Sequence, residues 1–356
     1  MRWPLFSSDP RWLFGARTDL AVFGGSALVS LVLLALGRPL GILNGDAPPW
    51  LWLLGVVLVD VAHVWTTTLR VYLDTPELRR RPALYFGVPI ACYVIGLFAH
   101  AVSSRVFWTV LAYTAVFHFV RQQWGWVALF QRRNPQTSRF DRALDAIAVY
   151  SATLYPLLYW HAHLPRRFHW LIEGDFLFIP LLSPSIIAAL TPLYFGLLAL
   201  YCARQAQLAL RRKLVPGKAL IILSTFACWY LGIVALNSDY GFTVTNVLIH
   251  GVPYFALTYR YARARTAQPA PPRLLARALA LGALGVVVLF GLVALGEELL
   301  WQRWVWSEQA LPPLALVFIV PLLALPQATH YVLDGLVWRR AALQPALAQQ
   351  GTPISR

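Results

Sequence analysis

The sequence predicts an all-α protein: a polytopic transmembrane helical bundle of about ten helices with both termini cytoplasmic. Three observations carry that expectation. Of the 356 residues, 58% are hydrophobic and only 13% charged, about half the roughly one-quarter share of charged residues in soluble domains. The apolar residues fall in runs of about 20, the length that crosses a hydrocarbon core of about 30 Å at about 1.5 Å per residue. The charge is lopsided, with 30 Lys and Arg against 15 Asp and Glu and a net of +15, and it lies in short bursts between the runs. Such a distribution follows membrane topology rather than a nucleic-acid-binding face, and the apolar content excludes a disordered chain.

Residues 1–18 form a basic, aromatic N-terminal segment carrying Arg11 and Arg17 without a small-residue cleavage site. The first run, 19–37, is therefore expected to insert as an uncleaved anchor. The second, 50–73, leads to Arg79, Arg80 and Arg81; the third, 83–101, and fourth, 106–130, go out and return to Arg132 and Arg133. The fifth, 143–163, leaves from Arg139 and Arg142, and the sixth, 180–203, comes back to Arg204, Arg211, Arg212 and Lys213. The seventh is 219–236 and the eighth 242–261; after a linker with Pro269, Pro271 and Pro272 come the ninth, 276–296, and tenth, 312–338. Segment 339–356 is the expected cytoplasmic tail, so the chain reads as one bundle over 19–338. In this arrangement 23 basic residues lie inside and five outside, with Arg70 and Arg121 inside helices. That bias sets the orientation by the positive-inside rule and suits an integral protein of a bacterial-type inner membrane.

Ionisable groups cost at least about 2.5 kcal/mol at the centre of a membrane helix, so their positions carry information. His63, His118, His250 and His330 lie on the second, fourth, eighth and tenth runs, all of the same direction. Each stands about 8 to 12 residues before the inner boundary, roughly 12 to 18 Å at helical rise. Each also shares a helical face with polar neighbours: Asp60, Thr67 and Arg70; Thr114, Arg121 and Gln122; Asn246 and Tyr254; Gln327 and Asp334. Lipid cannot satisfy such stripes, so they are expected to face one another around a His-lined cavity. The first and ninth runs are almost wholly apolar and suit the lipid-facing periphery.

Neutral imidazole is the commonest metal ligand, its second nitrogen usually oriented by a carboxylate or carbonyl. His63, His118, His250 and His330 are the expected ligands, with Asp60, Asp334 and Tyr254 as the reactive and supporting groups. Arg70, Arg121, Gln122 and Asn246 are expected to bind the substrate, an Arg inside the membrane calling for an anion. A His and carboxylate set suits iron or zinc, and with one Met, at position 1, and no Cys in register, a sulfur site is excluded.

In architecture and in its four His-bearing segments the chain loosely resembles the polytopic histidine-motif membrane metalloenzymes that desaturate or hydroxylate lipids. The resemblance implies non-haem iron, oxidation of a lipid or other lipophilic small molecule, and an electron-donor protein as partner. Those families cluster their histidines in short boxes, whereas the only close pair here, His161 and His163, falls in an outside loop. Three other readings of the same residues stay open. A zinc-activated water would make a lipid hydrolase, similar in residue types to the alkaline ceramidases. A pair of the histidines holding haem b would serve electron transfer. The His/Asp/Arg set without a metal would relay protons or bind a solute in a transporter. Glu297-Glu298, near the outside boundary, precedes Arg303 by one residue more than the Glu-Glu-x-x-x-Arg box of prenyl-protein proteases, a weaker resemblance.

Overall fold

The computed structural model describes residues 5–339; the expected tail beyond Arg339 and the first four residues lie outside that range. Among the described residues every regular element is helical. Seven helices are long and apolar enough to cross a membrane: α1 (Ala16–Gly37), α2 (Pro49–Arg70), α3 (Pro82–Val102), α6 (Pro184–Leu210), α7 (Pro216–Ala235), α9 (Gly282–Trp306) and α10 (Pro313–Val337). Between them run three long helices of more polar composition, α4 (Ser104–Arg133), α5 (Arg139–Ala162) and α8 (Asp239–Thr266).

Capping residues fix many of the ends. Ser103, Ser138, Ser183 and Ser238 are in extended conformation and their hydroxyls accept from the first-turn N–H groups of α4, α5, α6 and α8. The second run stops at Arg70 rather than 73, because Asp74 caps a separate short helix, Thr75–Arg80. The ninth starts later than expected. Arg273–Leu279 is a helix of its own, and Gly282 at φ 72° supplies the left-handed turn before α9. α10 is broken at Ala324, between Pro321 and Pro326.

Polarity sorts the helices by depth. α8 buries 18 of its 28 residues and packs on α1, α2 and α7; α4 packs on α3, α5, α7 and α10. α2 and α10 meet each other and close the ring around the centre. The outermost helices are α3 and α6, only 6% and 17% buried over their apolar windows, followed by α1 and α9 at 28% each. The apolar character of α1 and α9 thus marks outer helices, but α3 and α6 lie further out. Their exposed Ile90, Phe98 and Leu193 are what a lipid-facing surface requires.

Both ends of the bundle are tied. At the expected inner end, Asp74 accepts from Tyr261 (2.7 Å) and Arg265 (2.7 Å), and Arg70 stands 3.4 Å from Glu77. The N-terminal segment folds back onto the same end: Leu5, Leu13 and Phe14 pack with Phe23, Trp126, Phe130 and Tyr261, and Arg133 donates to the carbonyls of Ser7, Asp9 and Trp12. At the other end the 164–183 connection is pinned by Arg166, which donates to the carbonyls of Ile233 and Leu236. Asp175 shapes the same connection by accepting from Leu171 and Ile172. Burial pushes its carboxyl above the usual carboxylate range, against the pull of those N–H groups.

Candidate metal centre

The four histidines on α2, α4, α8 and α10 converge. All are buried, and one ring nitrogen from each lies within 4.8 Å of the others. Ring centroids stand 4.7 Å apart for His63 and His250, 4.9 Å for His63 and His330, 5.1 Å for His118 and His250, and 4.6 Å for His118 and His330. The Nε2 atoms of His118 and His330 are 3.1 Å apart. Two nitrogens sharing one ion at about 2.1 Å would be separated by about 3.0 to 3.4 Å.

The outer nitrogens are held in ways that turn the inner ones to the centre. His63 Nδ1 lies 3.2 Å from the carbonyl of Val59 and 3.8 Å from Asp60 Oδ1. His118 Nδ1 faces Asp334 Oδ2 at 3.6 Å. His330 Nδ1 is 2.8 Å from Thr67 Oγ1, which is in turn 3.2 Å from the Tyr254 hydroxyl. His250 stacks on Phe119 at 3.5 Å, and its backbone carbonyl accepts from Gln122 Nε2. Neither ring nitrogen of His250 has a hydrogen-bond partner, nor has His63 Nε2. A buried imidazole without a partner costs about 1–3 kcal/mol, an expense that coordination would remove.

Helix geometry explains the close approach. A Cβ placed on Gly251 would stand 2.7 Å from Val59 Cγ1 and 2.9 Å from its carbonyl oxygen, so the α2–α8 crossing requires glycine beside His250. In α2, residues Trp52–Val61 are wound as a π-helix, which returns to α-helix at Ala62, one residue before His63; such widened turns are frequent at functional sites.

Two cavities border the cluster. One, of about 360 Å³, is lined by His118, Tyr254 and Asp334 at depth, with Gln122, Trp338 and the arginines 121, 132 and 339. The other, about 220 Å³, is lined by His63, Asp60, Glu298 and Gln327 with a wall of Trp108, Trp170, Trp301 and Trp306. Tyr331 borders both. Asp60 and Asp334 thus line different cavities.

Of the other residues singled out in the sequence, Tyr254, Gln122 and Arg121 border the first cavity, where Arg121 also donates to the Tyr150 hydroxyl at 2.7 Å. Arg70 is placed elsewhere: fully buried, it donates to Tyr261 and to the carbonyl of Val337. Asn246 borders neither cavity and donates to Phe242 O and Thr245 Oγ1, one turn before His250. Thr67, set on the face of His63 by its spacing, holds His330 on another helix, a partner that spacing does not give. Two participants escaped the sequence reading: Phe119 looks like an ordinary helix residue until His250 is seen stacked on it, and Glu297 matched no motif. Glu297 accepts from Trp65 (2.6 Å), Gln327 (2.5 Å) and Trp301 (3.5 Å), joining α9 to α2 and α10 beside the cluster. Its signal was a carboxylate pair in an otherwise apolar run, passed over because its spacing to Arg303 matched no box.

Comparison with protein-family models, with curated proteins and with solved structures finds no match for this chain. The membrane-type helices and the buried four-histidine cluster, which could hold a metal ion, rest on the chain's own residues.

Proposed function

We propose that the protein is an integral membrane metalloenzyme in which His63, His118, His250 and His330 hold a non-haem iron ion that oxidises a lipophilic substrate. The observation that carries this reading is the convergence of four buried imidazoles, two of which, His63 and His250, carry ring nitrogens without a hydrogen-bond partner. A divalent ion on four neutral ligands leaves two positive charges in a low-dielectric interior. The carboxyl groups of Asp60 and Asp334, beside two of the ligands, would balance them on losing their protons. Iron suits a nitrogen set that leaves coordination positions open. Four ring nitrogens, one from each histidine, within 4.8 Å of one another suit a bare ion held by all four better than a haem held by two.

The larger cavity is the substrate site in this reading. Its volume of about 360 Å³ falls within the roughly 300–1,000 Å³ range of ligand pockets. Apolar walls suit the lipophilic body, and Arg121 stands ready for a polar or anionic end. Dioxygen is the oxidant; two electrons from the substrate and two from a donor protein complete its reduction, either to two waters or to one water and one inserted oxygen atom. All ten long helices cross the membrane in this proposal. The three more polar ones, α4, α5 and α8, are shielded by the apolar ones, and both ends face the cytoplasm of a bacterial-type inner membrane.

A second reading follows from the two cavities, which suit a proton- or solute-relaying protein that uses the cluster without a metal. Metal analysis and an absorption spectrum of the purified, detergent-solubilised protein separate the two. The enzyme reading expects about one iron per chain without a Soret band, lost in His63→Ala and His330→Ala. Stoichiometric zinc would redirect it to hydrolysis, and no stoichiometric metal would overturn it in favour of the relay.

A further inference from the structure

The smaller cavity differs from the larger in the sign of its charge. Its charged lining consists of Asp60 and Glu298 beside His63, with no Lys or Arg, whereas the larger holds Arg121, Arg132 and Arg339 against the single carboxylate of Asp334. Asp60 sits in the middle of a membrane-type helix, yet its side chain is 34% accessible; it opens onto this space. The cavity's inner end is His63, 1% exposed, whose Nε2 has no hydrogen-bond partner. At about 220 Å³ the space holds about seven waters at about 30 Å³ each, enough to keep an ion partly hydrated. Trp108, Trp170, Trp301 and Trp306 line it as well, and indole rings are themselves attractive to cations.

Resting on the proposed metal site, we infer that this cavity is the passage by which a divalent cation reaches the four histidines, with Glu298 and Asp60 as successive relay carboxylates. The basic cavity repels cations and attracts anions, so field and shape divide the traffic: metal from one side, substrate from the other. Glu297, the neighbouring carboxylate, is no part of the relay, because three donors already hold it. In the orientation set by the basic residues, the passage opens on the outer side, next to Trp306 and the connection that carries Trp170.

The test follows metal loading rather than catalysis. Chelator-stripped full-length protein in detergent is mixed with Co²⁺, and quenching of the tryptophans that line the passage is recorded in time, with bound cobalt measured at the end. Charge focusing of this kind changes association rates by about 10- to 1,000-fold. Glu298→Gln is therefore expected to slow loading at least about tenfold while the final stoichiometry stays at that of the unaltered chain; Asp60→Asn slows it as well. Glu308→Gln removes the same charge from the outer surface but outside the cavity, and should load at the original rate. Unchanged rates in Glu298→Gln, or equal slowing in Glu308→Gln, would overturn the passage and leave the metal site standing. If the unaltered protein binds no cobalt at all, the four-histidine site itself falls and the passage with it.

Discussion

Each imidazole in the cluster is held by a different kind of partner. A backbone carbonyl and Asp60 flank His63, Asp334 faces His118, and Thr67 holds His330, while His250 has only the stacked ring of Phe119. In three of the four, the partner occupies Nδ1 and leaves Nε2 for the centre, the pattern that fixes tautomer and aim in metal-binding histidines. His250 is the exception and the most informative residue. Both its nitrogens are buried and unpartnered, so the apo protein gains nothing from their polarity. His250→Phe keeps a planar ring against Phe119 and removes two unsatisfied polar atoms. The expected outcome is a metal-stripped protein at least as resistant to thermal unfolding as the original, combined with loss of stoichiometric metal. A large fall in the apo unfolding temperature would instead make His250 a structural residue.

At the scale of the helix, the site depends on how closely α2 and α8 cross. Gly251 lies against the backbone of Val59, the residue whose carbonyl also receives His63 Nδ1. A methyl group there must displace the two helices, since a backbone oxygen cannot rotate away. Gly251→Ala is expected to cost about 1–3 kcal/mol in stability, as overpacked cores do, and to weaken metal binding at least about tenfold while helix content by circular dichroism is unchanged. Metal binding equal to the original would show that the crossing has slack. The sequence made the helices legible, because apolar runs with charged ends report on lipid crossing directly. It also made the four histidines legible, since each is costly in an apolar run and all four fall at one depth. Gly251 and Phe119 were not legible, for they matter only through a partner on another helix; of Thr67 only the face was legible, not its partner His330. Arg70 shows the converse: helical spacing put it on the face of His63, but the end of α2 at Arg70 turned it to Tyr261 and Glu77.

For the whole molecule, the decisive quantity is the distribution of charge along the chain. The arginines of the larger cavity, Arg132 and Arg339, belong to segments that the positive-inside rule assigns to the cytoplasm, whereas the acidic cavity lies toward the end of α9 that carries Trp301 and Trp306. Orientation and site chemistry are therefore one question: if the bundle were inverted, substrate would arrive from outside and metal from inside. Single cysteines in a background with Cys92, Cys202 and Cys228 replaced by Ser decide it. Arg303→Cys, in the turn after the apolar part of α9, is expected to react with a membrane-impermeant maleimide in intact cells. Arg139→Cys, at the start of α5, should react only after the membrane is opened. The difference should be at least about tenfold in labelling rate, since a charged reagent crosses the bilayer core only against the cost of burying its charge. The reverse pattern would invert the molecule, and equal labelling of both in intact cells would remove the transmembrane arrangement altogether.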